Sequence, residues 1–304
     1  MRAYIVSRLI QTVVVVFGIS LIAFTITYVL GDPLAVLLPL DAPQETRIAY
    51  RHAMGLDQPL PVQYYHFMSQ VATGHFGNSY VVHKPAYDLI MERMPATMLL
   101  AVAGLIVALV IAVPLGIIAA YRRGSWVDNL SSLIAVAGSA MPIYWLGLML
   151  IILFGVHLKW LPPSGYGSWK NIILPGFTLG VFLAPITMRL IRSDMLEVLD
   201  QDYIRVARAK GVRERAVLTR HALRNAIIPV LSVLGIQFGQ LLGGAVVTET
   251  TFAWPGVASQ VVQAIQNQDR PVVQAGVIIL AVAICLVNLL VDIVVVFLDP
   301  RIRT

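Results

Sequence analysis

Six long apolar stretches divide the chain, and polar segments separate them. They cover approximately residues 9–30, 96–121, 129–156, 172–188, 227–248 and 272–298. Each is close to or above the roughly 18–20 residues that a helix needs to cross the hydrocarbon core of a bilayer. Because backbone amides in lipid must bond within their own segment, each stretch is predicted to be a helix. The pattern predicts an all-α, polytopic membrane protein with six transmembrane helices.

Proline and glycine residues predict breaks in several of these helices. The predicted positions are Pro114 with Gly116, Pro142, Pro175 with Gly176, Pro185, and the segment 235–244. Such breaks are tolerated where neighbouring helices or a water-filled cavity satisfy the freed backbone groups. Both residue types are also simply frequent in membrane helices, and that simpler explanation stays open. Their clustering in the fourth and fifth stretches favours a pathway wall there.

Composition supports the membrane class. The chain is 58% hydrophobic and 12% charged, with a mean hydropathy of +0.79, whereas soluble domains are about a quarter charged. The net charge of +6 would suit nucleic acid, but the basic residues flank apolar stretches, so no nucleic-acid partner is predicted. The single cysteine, Cys285, excludes a disulfide or a thiolate metal cage within one chain. The first stretch lacks a following cleavage site and is predicted to be a retained helix.

Lys and Arg are distributed unequally between the two sets of loops. Segments 1–8, 121–128, 189–226 and 299–304 together hold 15 basic residues in 60, whereas loops 157–171 and 249–271 hold 3 in 38. Short cytoplasmic loops carry the excess of positive charge. The sequence therefore predicts that both termini face the cytoplasm.

The polar segments predict the domain organisation. Residues 1–31 would form the first transmembrane helix, residues 32–95 a folded subdomain outside the cell membrane, and residues 96–304 a five-helix core. The outer segment contains GLDQPLPVQYYHFMSQVATGHFGNSY, whose apolar and aromatic spacing is typical of a folded unit and not of a linker. The core would carry a cytoplasmic loop at about 193–226.

That loop contains the densest block of charge. The segment Asp202–Val230 holds seven Lys or Arg residues against two carboxylates. One helical face is predicted from apolar residues spaced by one, three or four positions, namely Leu196, Leu199, Tyr203, Val206 and Ala207. Gly211 then interrupts, as a residue past a helix end commonly does. A second short helix is predicted before Pro229.

Three explanations for this helix, glycine turn and helix stay open on physical grounds. The charge could simply fix the orientation of the chain. It could attract anionic lipid, which contributes roughly 1 kcal/mol per basic residue near the surface. It could also form a rigid knob for a cytoplasmic partner, because small residues such as Ala207 and Ala209 permit close approach and basic groups steer the encounter.

The segment resembles the cytoplasmic loop of ABC-importer permeases, and more narrowly that of the peptide and nickel importer branch. The shared pattern is D-Y-x-x-x-A-R-A-K-G, nine residues, then H-x-L-R-N-A, here residues 202–226. Further similar stretches occur in order along the whole chain, namely GDP (31–33), GLDQPL (55–60), FGNS (76–79), LPPSGY (161–166), LPGFTLG (174–180), GGAVVTETTFAWPG (243–256) and DPRIR (299–303). The chain departs from the branch at His75 and Arg270, so the solute is not identified.

The resemblance implies a type I ABC importer permease of the B type in the inner membrane of a prokaryote. Its implied partners are a C-type permease subunit, two cytoplasmic ABC ATPase subunits, a solute-binding protein and the lipid bilayer. ATP and Mg would bind to the ATPases, and no cofactor to this chain. The implied solute is a dipeptide, an oligopeptide or a related small molecule. The residues implied to couple ATPase motion to the helices are Ala207, Arg208, Ala209, Lys210, Gly211, Val212, Arg213, Glu214, Arg215, His221, Arg224 and Asn225.

Other chemistry is not predicted. The chain has no G-x-x-x-x-G-K-[ST] phosphate loop and no nucleophile elbow, so it is not predicted to be an enzyme. No metal-ligand set is predicted either. Glu249 is a candidate outer gate, although a helix-end residue that bonds local backbone is an equal alternative. The rival function is a proton-driven transporter without an ATPase, which predicts inverted repeats and charged residues near the membrane midplane.

Overall fold

The computed structural model of the chain describes residues 2–25, 42–53 and 55–298. Within these ranges the regular secondary structure is helical. A single isolated antiparallel bridge joins Asn78 to Pro85 in the same ranges. The predicted all-α fold class is confirmed.

The α-helices of the described residues are numbered here in chain order. Their bounds are α1 Arg2–Phe24, α2 Gln44–Ala53, α3 Leu60–Ala72, α4 Ala86–Tyr121, α5 Trp126–Ala140, α6 Ile143–Leu150, α7 Ile173–Leu199, α8 Asp202–Ala209, α9 Glu214–Ala216, α10 Leu223–Gly244, α11 Val246–Thr251, α12 Val257–Gln266 and α13 Arg270–Leu298. Two π-helical segments, Ile151–His157 and Val217–Ala222, extend α6 and join α9 to α10. A 3₁₀ turn, Trp169–Ile172, precedes α7.

Five helical stretches of the described chain are long and apolar enough to cross a bilayer. They are Ser7–Phe24, Ala86–Tyr121, Trp169–Leu199, Glu214–Gly243 and Arg270–Val294. They correspond to the first, second, fourth, fifth and sixth predicted stretches. The second, fourth and fifth are longer than predicted, because the helices continue through polar residues at their ends.

The third predicted stretch is a broken pair of helices. The parts Trp126–Gly138 and Ile143–His157 meet at 98°. Pro142 lies at the break and has no N–H to donate, and Met141 before it has the extended backbone that a following proline favours. The predicted interruption at Pro142 is therefore confirmed.

The structure contradicts most of the other predicted breaks. Pro114 and Gly116 lie inside the continuous helix α4, Pro185 lies inside α7, and Pro175 with Gly176 lies in the first turns of α7. In the segment 235–244 the helix is continuous, and the break follows at Ala245, between α10 and α11. The sequence predicted helix breaks at these residues, whereas several of the glycines allow neighbouring helices to pack closely.

Helices α4 and α7 approach each other closely at glycine positions. A β-carbon on Gly180 would lie 2.5 Å from the β-carbon of Val107, and one on Gly104 would lie 2.8 Å from that of Leu179. Real side chains do not approach so closely, so both positions require glycine. Small residues at helix interfaces are the usual route to tight packing in membranes, where burial from water supplies no driving force.

The chain divides into two compact units. One comprises Arg2–Thr97 and Pro255–Cys285, and the other comprises Met98–Trp254 together with the chain after Cys285. They are called the N-terminal unit and the core unit below. The domain boundaries predicted at 31/32 and 95/96 stay predictions, and residues 26–41 lie outside the described residues.

The N-terminal unit packs around aromatic side chains. Phe24 of α1, Phe67 of α3 and Ile278 of α13 form a buried cluster. The ring centroids of Phe24 and Tyr64 are 5.3 Å apart, with the rings nearly perpendicular. The hydroxyl oxygens of Tyr64 and Ser20 lie 2.8 Å apart in a hydrogen bond, so the half-buried phenol keeps a polar partner.

A buried carboxylate joins two stretches of the same unit that are distant in the sequence. Asp269 is 4% exposed and Ser79 is 1% exposed. The Ser79 hydroxyl donates a hydrogen bond to one carboxylate oxygen of Asp269. The backbone N–H of Tyr80 donates to the other oxygen at 3.1 Å. The stretch FGNS and the sequence Asp269-Arg270-Pro271 therefore form one structural contact, which pattern reading did not find.

The core unit contains a two-pronged ion pair between α5 and α7. Arg192 donates from Nε to Oδ1 of Asp128 at 2.7 Å and from a terminal nitrogen to Oδ2 at 2.8 Å. The backbone N–H of Gly124 also donates to Oδ2, at 3.0 Å. The side chain of Asp128 is 5% exposed and that of Arg192 is 29% exposed. This contact fixes the start of α5 against the last turns of α7.

A double-mutant cycle on this pair tests its contribution. We expect Asp128→Asn and Arg192→Gln each to destabilise the purified protein, with a coupling of about 1–3 kcal/mol, because either single change leaves a largely buried charge without its partner. The measurement is the free energy of unfolding in detergent. The exposed pair of Asp202 and Arg205, which are 3.3 Å apart, is the matched control, and its coupling should be about 0–1 kcal/mol. Equal couplings would show that the buried pair has no special role.

Candidate coupling surface

The charged segment has the form that the sequence predicts. Helix α8 is followed by a turn at Gly211 and then by the short helix α9, which continues through Val217–Ala222 into α10. We call residues 202–226 the coupling segment. The predicted order of helix, glycine turn and short helix is confirmed.

The turn at Gly211 is the hydrogen-bonded C-terminal cap of α8. Gly211 has φ of +76°. Its N–H donates to the carbonyl of Arg208 at 3.0 Å, and the N–H of Val212 donates to the carbonyl of Ala207 at 3.2 Å. These two hydrogen bonds form a Schellman motif, in which the residue after the cap takes the left-handed conformation. Glycine is favoured here by its backbone conformation and not by lack of space, since a β-carbon would meet nothing within 4 Å.

An ion pair spans the turn. Arg208 of α8 donates to Glu214 of α9 at 2.7 Å. The hydrogen bonds that Arg208 donates to the Glu214 carboxylate raise the pKa of the Arg208 guanidinium above its usual value, and partial burial opposes this rise. The two side chains are 40% and 35% exposed, so solvent screens the pair and its contribution to stability is small.

Apolar side chains hold the segment against the ends of the helices. Ile204 and Ala207 of α8, together with Val217 and Ala222, are buried in the cluster that includes Met195 of α7. The single helical face predicted through Leu196, Leu199, Tyr203, Val206 and Ala207 is wrong. A turn at Asp200 and the extended backbone of Gln201 separate α7 from α8. The apolar residues of α7 and those of α8 therefore do not form one continuous helical face.

The opposite face of the segment is exposed, small and basic. Ala209, Lys210 and Gly211 are exposed, as are Arg213 and Arg215. The carboxylate of Glu214 on this face is half-buried and paired with Arg208. The exposed face therefore combines accessible backbone with positive charge, as a surface for a partner would.

The end of the segment is tied back to α8. The side-chain amide of Asn225 donates to the hydroxyl of Tyr203 at 2.7 Å. That hydroxyl donates to the carbonyl of His221 at 3.4 Å. Arg224 is exposed beside them, and Val212 is half-buried in the apolar cluster. The structure thus brings all the predicted coupling residues into one continuous segment.

Glu249 lies apart from this segment, in α11. Its residue exposure is 0%. Its backbone N–H donates to the carbonyl of Ala245 at 2.7 Å, and its carbonyl accepts from the N–H of Trp254 at 2.8 Å. The backbone of Glu249 therefore caps a local turn. Its role as an outer gate stays a prediction.

Pattern reading missed two polar contacts of α7. One is the ion pair of Arg192 with Asp128. The other joins α7 to α10, where the Thr187 hydroxyl donates to the side-chain oxygen of Gln237 at 2.9 Å. Both residues are buried, with 1% and 2% exposure. A glutamine within an apolar stretch was the available signal, because a buried amide requires a partner.

Comparisons with known proteins agree with this architecture. The family model for the "binding-protein-dependent transport system inner membrane component" matches residues 112–304. The N-terminal model of the same membrane component matches residues 1–101. Similar relatives include the glutathione transport system permease protein GsiC of Escherichia coli K12 and of Shigella dysenteriae. Each is 40% identical over 304 residues and is covered to 99%, and the match spans 100% of this chain.

Solved structures share the fold. An inward-facing form of the MetNI methionine ABC transporter aligns with a TM-score of 0.60 at 18% identity, over 69% of this chain and 96% of that chain. An amino acid ABC transporter aligns with a TM-score of 0.50 at 14% identity, over 70% of this chain and 94% of that chain. These likenesses confirm the predicted permease fold. With a family model over most of its length and full-length relatives at 40% identity, the chain belongs to the binding-protein-dependent transport system inner membrane components, the permease subunits of ABC importers.

Proposed function

We propose that this chain imports short peptides of the glutathione kind. The main observation in its support is that the chain is 40% identical along its full length to proteins named glutathione transport system permease protein. In this proposal the chain pairs with a second permease subunit, two ATPases lie on the cytoplasmic side, and a solute-binding protein delivers the solute from the other side. The chain itself carries no catalytic step, because its sequence has no phosphate loop.

The coupling segment transmits ATPase motion in this proposal. Support comes from its connections: α9, the π-helical segment and α10 form one helical stretch, Glu214–Gly243. A displacement of the exposed basic face would therefore move α10 directly. The hydrogen bond between Asn225 and Tyr203 would carry the same displacement into α8. The apolar contacts of Ile204 with the end of α7 extend it to that helix.

The contact between Thr187 and Gln237 is where this motion would act on the pathway helices. It joins α7 to α10, and the side-chain nitrogen of Gln237 has no partner among the described residues. A side-chain N–H donor without an acceptor can gain one when the helices shift. Alternating access requires that ATP and the loaded binding protein each favour one conformation over the other.

The orientation is part of the proposal. The excess of Lys and Arg in the segments 1–8, 121–128, 189–226 and 299–304 supports a cytoplasmic location of both termini and of the coupling segment. The same orientation gives the basic face access to ATPases. The segment 299–304 lies outside the described residues.

Uptake by the reconstituted complex tests the function. Proteoliposomes that contain this chain, the second permease and the ATPases should accumulate labelled glutathione when ATP and the binding protein are supplied. Omission of the ATPases should abolish uptake, because this chain provides no site for ATP. Uptake by this chain alone, driven by an imposed proton gradient, would contradict the proposal and favour the rival transporter.

The turn at Gly211 provides a second test. Gly211→Leu should lower peptide-stimulated ATP hydrolysis by about five- to thirtyfold, because a left-handed non-glycine residue costs about 1–2 kcal/mol. Gly211→Asn is the matched control, since asparagine tolerates that conformation, and it should retain most of the stimulation. Both variants should insert into the membrane normally. Full stimulation in the leucine variant would remove this turn from the coupling mechanism.

Charge reversal tests the basic face. The double substitution Arg213→Glu and Arg215→Glu should weaken co-purification of the ATPases, most strongly at low salt, because steering between exposed charges is screened by ions. The matched control is Lys159→Glu with Lys170→Glu, which makes the same change in net charge in the exposed loop 157–171. That control should leave ATPase recruitment unchanged. A loss of recruitment in the control would contradict the proposed orientation.

A further inference from the structure

A large cavity lies within the core unit, and the coupling segment forms part of its lining. Its volume is about 1000 Å³. Its lining comes from the end of α7, from the end of the π-helical segment with the start of α10, and from Gln201 and Tyr203. The first two parts are called its walls below. Cavities of about 300–1,000 Å³ are the usual size for small-molecule sites.

The two walls carry opposite charges. Asp194 and Glu197 line the α7 wall, and they lie three residues apart, on one face of the helix. Arg220 and Arg224 line the other wall, with His221 between them. The carboxylates and the guanidiniums therefore border one water-accessible space from two elements.

Within the part of the chain that the structure describes, the carboxylates of one wall do not pair with the arginines of the other. No salt bridge or hydrogen bond joins Asp194 or Glu197 to either arginine there. The Oδ2 atom of Asp194 is buried and has no hydrogen-bond partner among the same residues. A buried carboxylate oxygen without a donor is costly. A ligand that supplies an N–H donor on this wall would remove that cost.

We infer that the cavity binds the two charged ends of a short peptide, with its ammonium at Asp194 and Glu197 and its carboxylate at Arg220 and Arg224. This inference rests on the proposed function for the peptide class and for the cytoplasmic location. The ammonium supplies donors to the unpaired carboxylate oxygen. The guanidiniums supply the donors that carboxylates bind best. A peptide with both end groups free satisfies both walls, whereas a simple cation or anion satisfies one.

Direct binding tests the site. The probe is radiolabelled trialanine, added in equilibrium dialysis to the assembled complex of permeases and ATPases in nanodiscs, without nucleotide or binding protein. The wild-type complex should bind it, and N-acetyl-trialanine amide, which lacks both charges, should not compete. Asp194→Asn and Arg220→Gln should each weaken binding by about tenfold or more, the loss expected for one charge-assisted hydrogen bond. Glu197→Gln is a second carboxylate variant in case Asp194→Asn fails to assemble.

The matched control is Asp200→Asn. Asp200 is exposed at the end of the same helix and is not part of the cavity lining. Its removal changes the net charge as Asp194→Asn does, so unchanged trialanine binding would assign the effect to the cavity. Equal weakening in the control would overturn the site, since it would show a general charge effect.

A transport measurement distinguishes peptide that enters the site from the cytosol from solute that reaches the site as it leaves the pathway. In proteoliposomes, trialanine is added only on the side that carries the ATPases. Slower uptake of labelled glutathione that Asp194→Asn relieves would support a site open to peptide in the cytosol. Unchanged uptake, with binding retained in dialysis, would support a site occupied by the solute as it leaves. Absence of trialanine binding, with glutathione uptake intact, would overturn the inference and leave the proposed function standing.

Discussion

Apolar packing of the coupling segment against the ends of the helices is the contact on which the proposed coupling mechanism depends. Ile204 and Val217 are fully buried, and each such side chain contributes about 1.5–3 kcal/mol when removed from water. The exposed ion pair of Arg208 and Glu214 contributes about 0–1 kcal/mol. The packing, and not the charge, therefore keeps the segment rigid. Its charged face is left available for a partner.

Polar contacts inside the protein have a different role. The pairs of Asp128 with Arg192 and of Thr187 with Gln237 each join α7 to another helix. A bond between buried polar groups is specific, because the groups cannot exchange it for water. Such contacts define discrete arrangements of the helices, which a transporter that alternates between two states requires. The nitrogen of Gln237 that lacks a partner in the described chain is consistent with a second arrangement.

Much of the fold could be predicted from the sequence, because membrane helices have a strong local signal. The length of the apolar stretch 272–298 by itself indicates a membrane-spanning helix. The glycine at position 211 by itself indicates a turn after a helix. The partner of Asp128 could not be predicted, since Arg192 lies 64 residues away and many arginines were available. Gly116 was misread for a similar reason: its close packing depends on Ile191 of another helix. In the coupling segment the order of helix, turn and helix was predictable. The buried face was not, because it depends on the turn at Asp200 that separates α7 from α8.

The location of the charged cavity has a physical consequence for import. A solute must bind well enough to enter a pathway and weakly enough to leave it. Glu197, Arg220 and Arg224 are exposed, so water screens their interaction with any ligand. Only one oxygen of Asp194 is buried without a partner in the described chain. Such a site would select peptide end groups by their charge and still release them readily, which suits the exit of an importer better than its entrance.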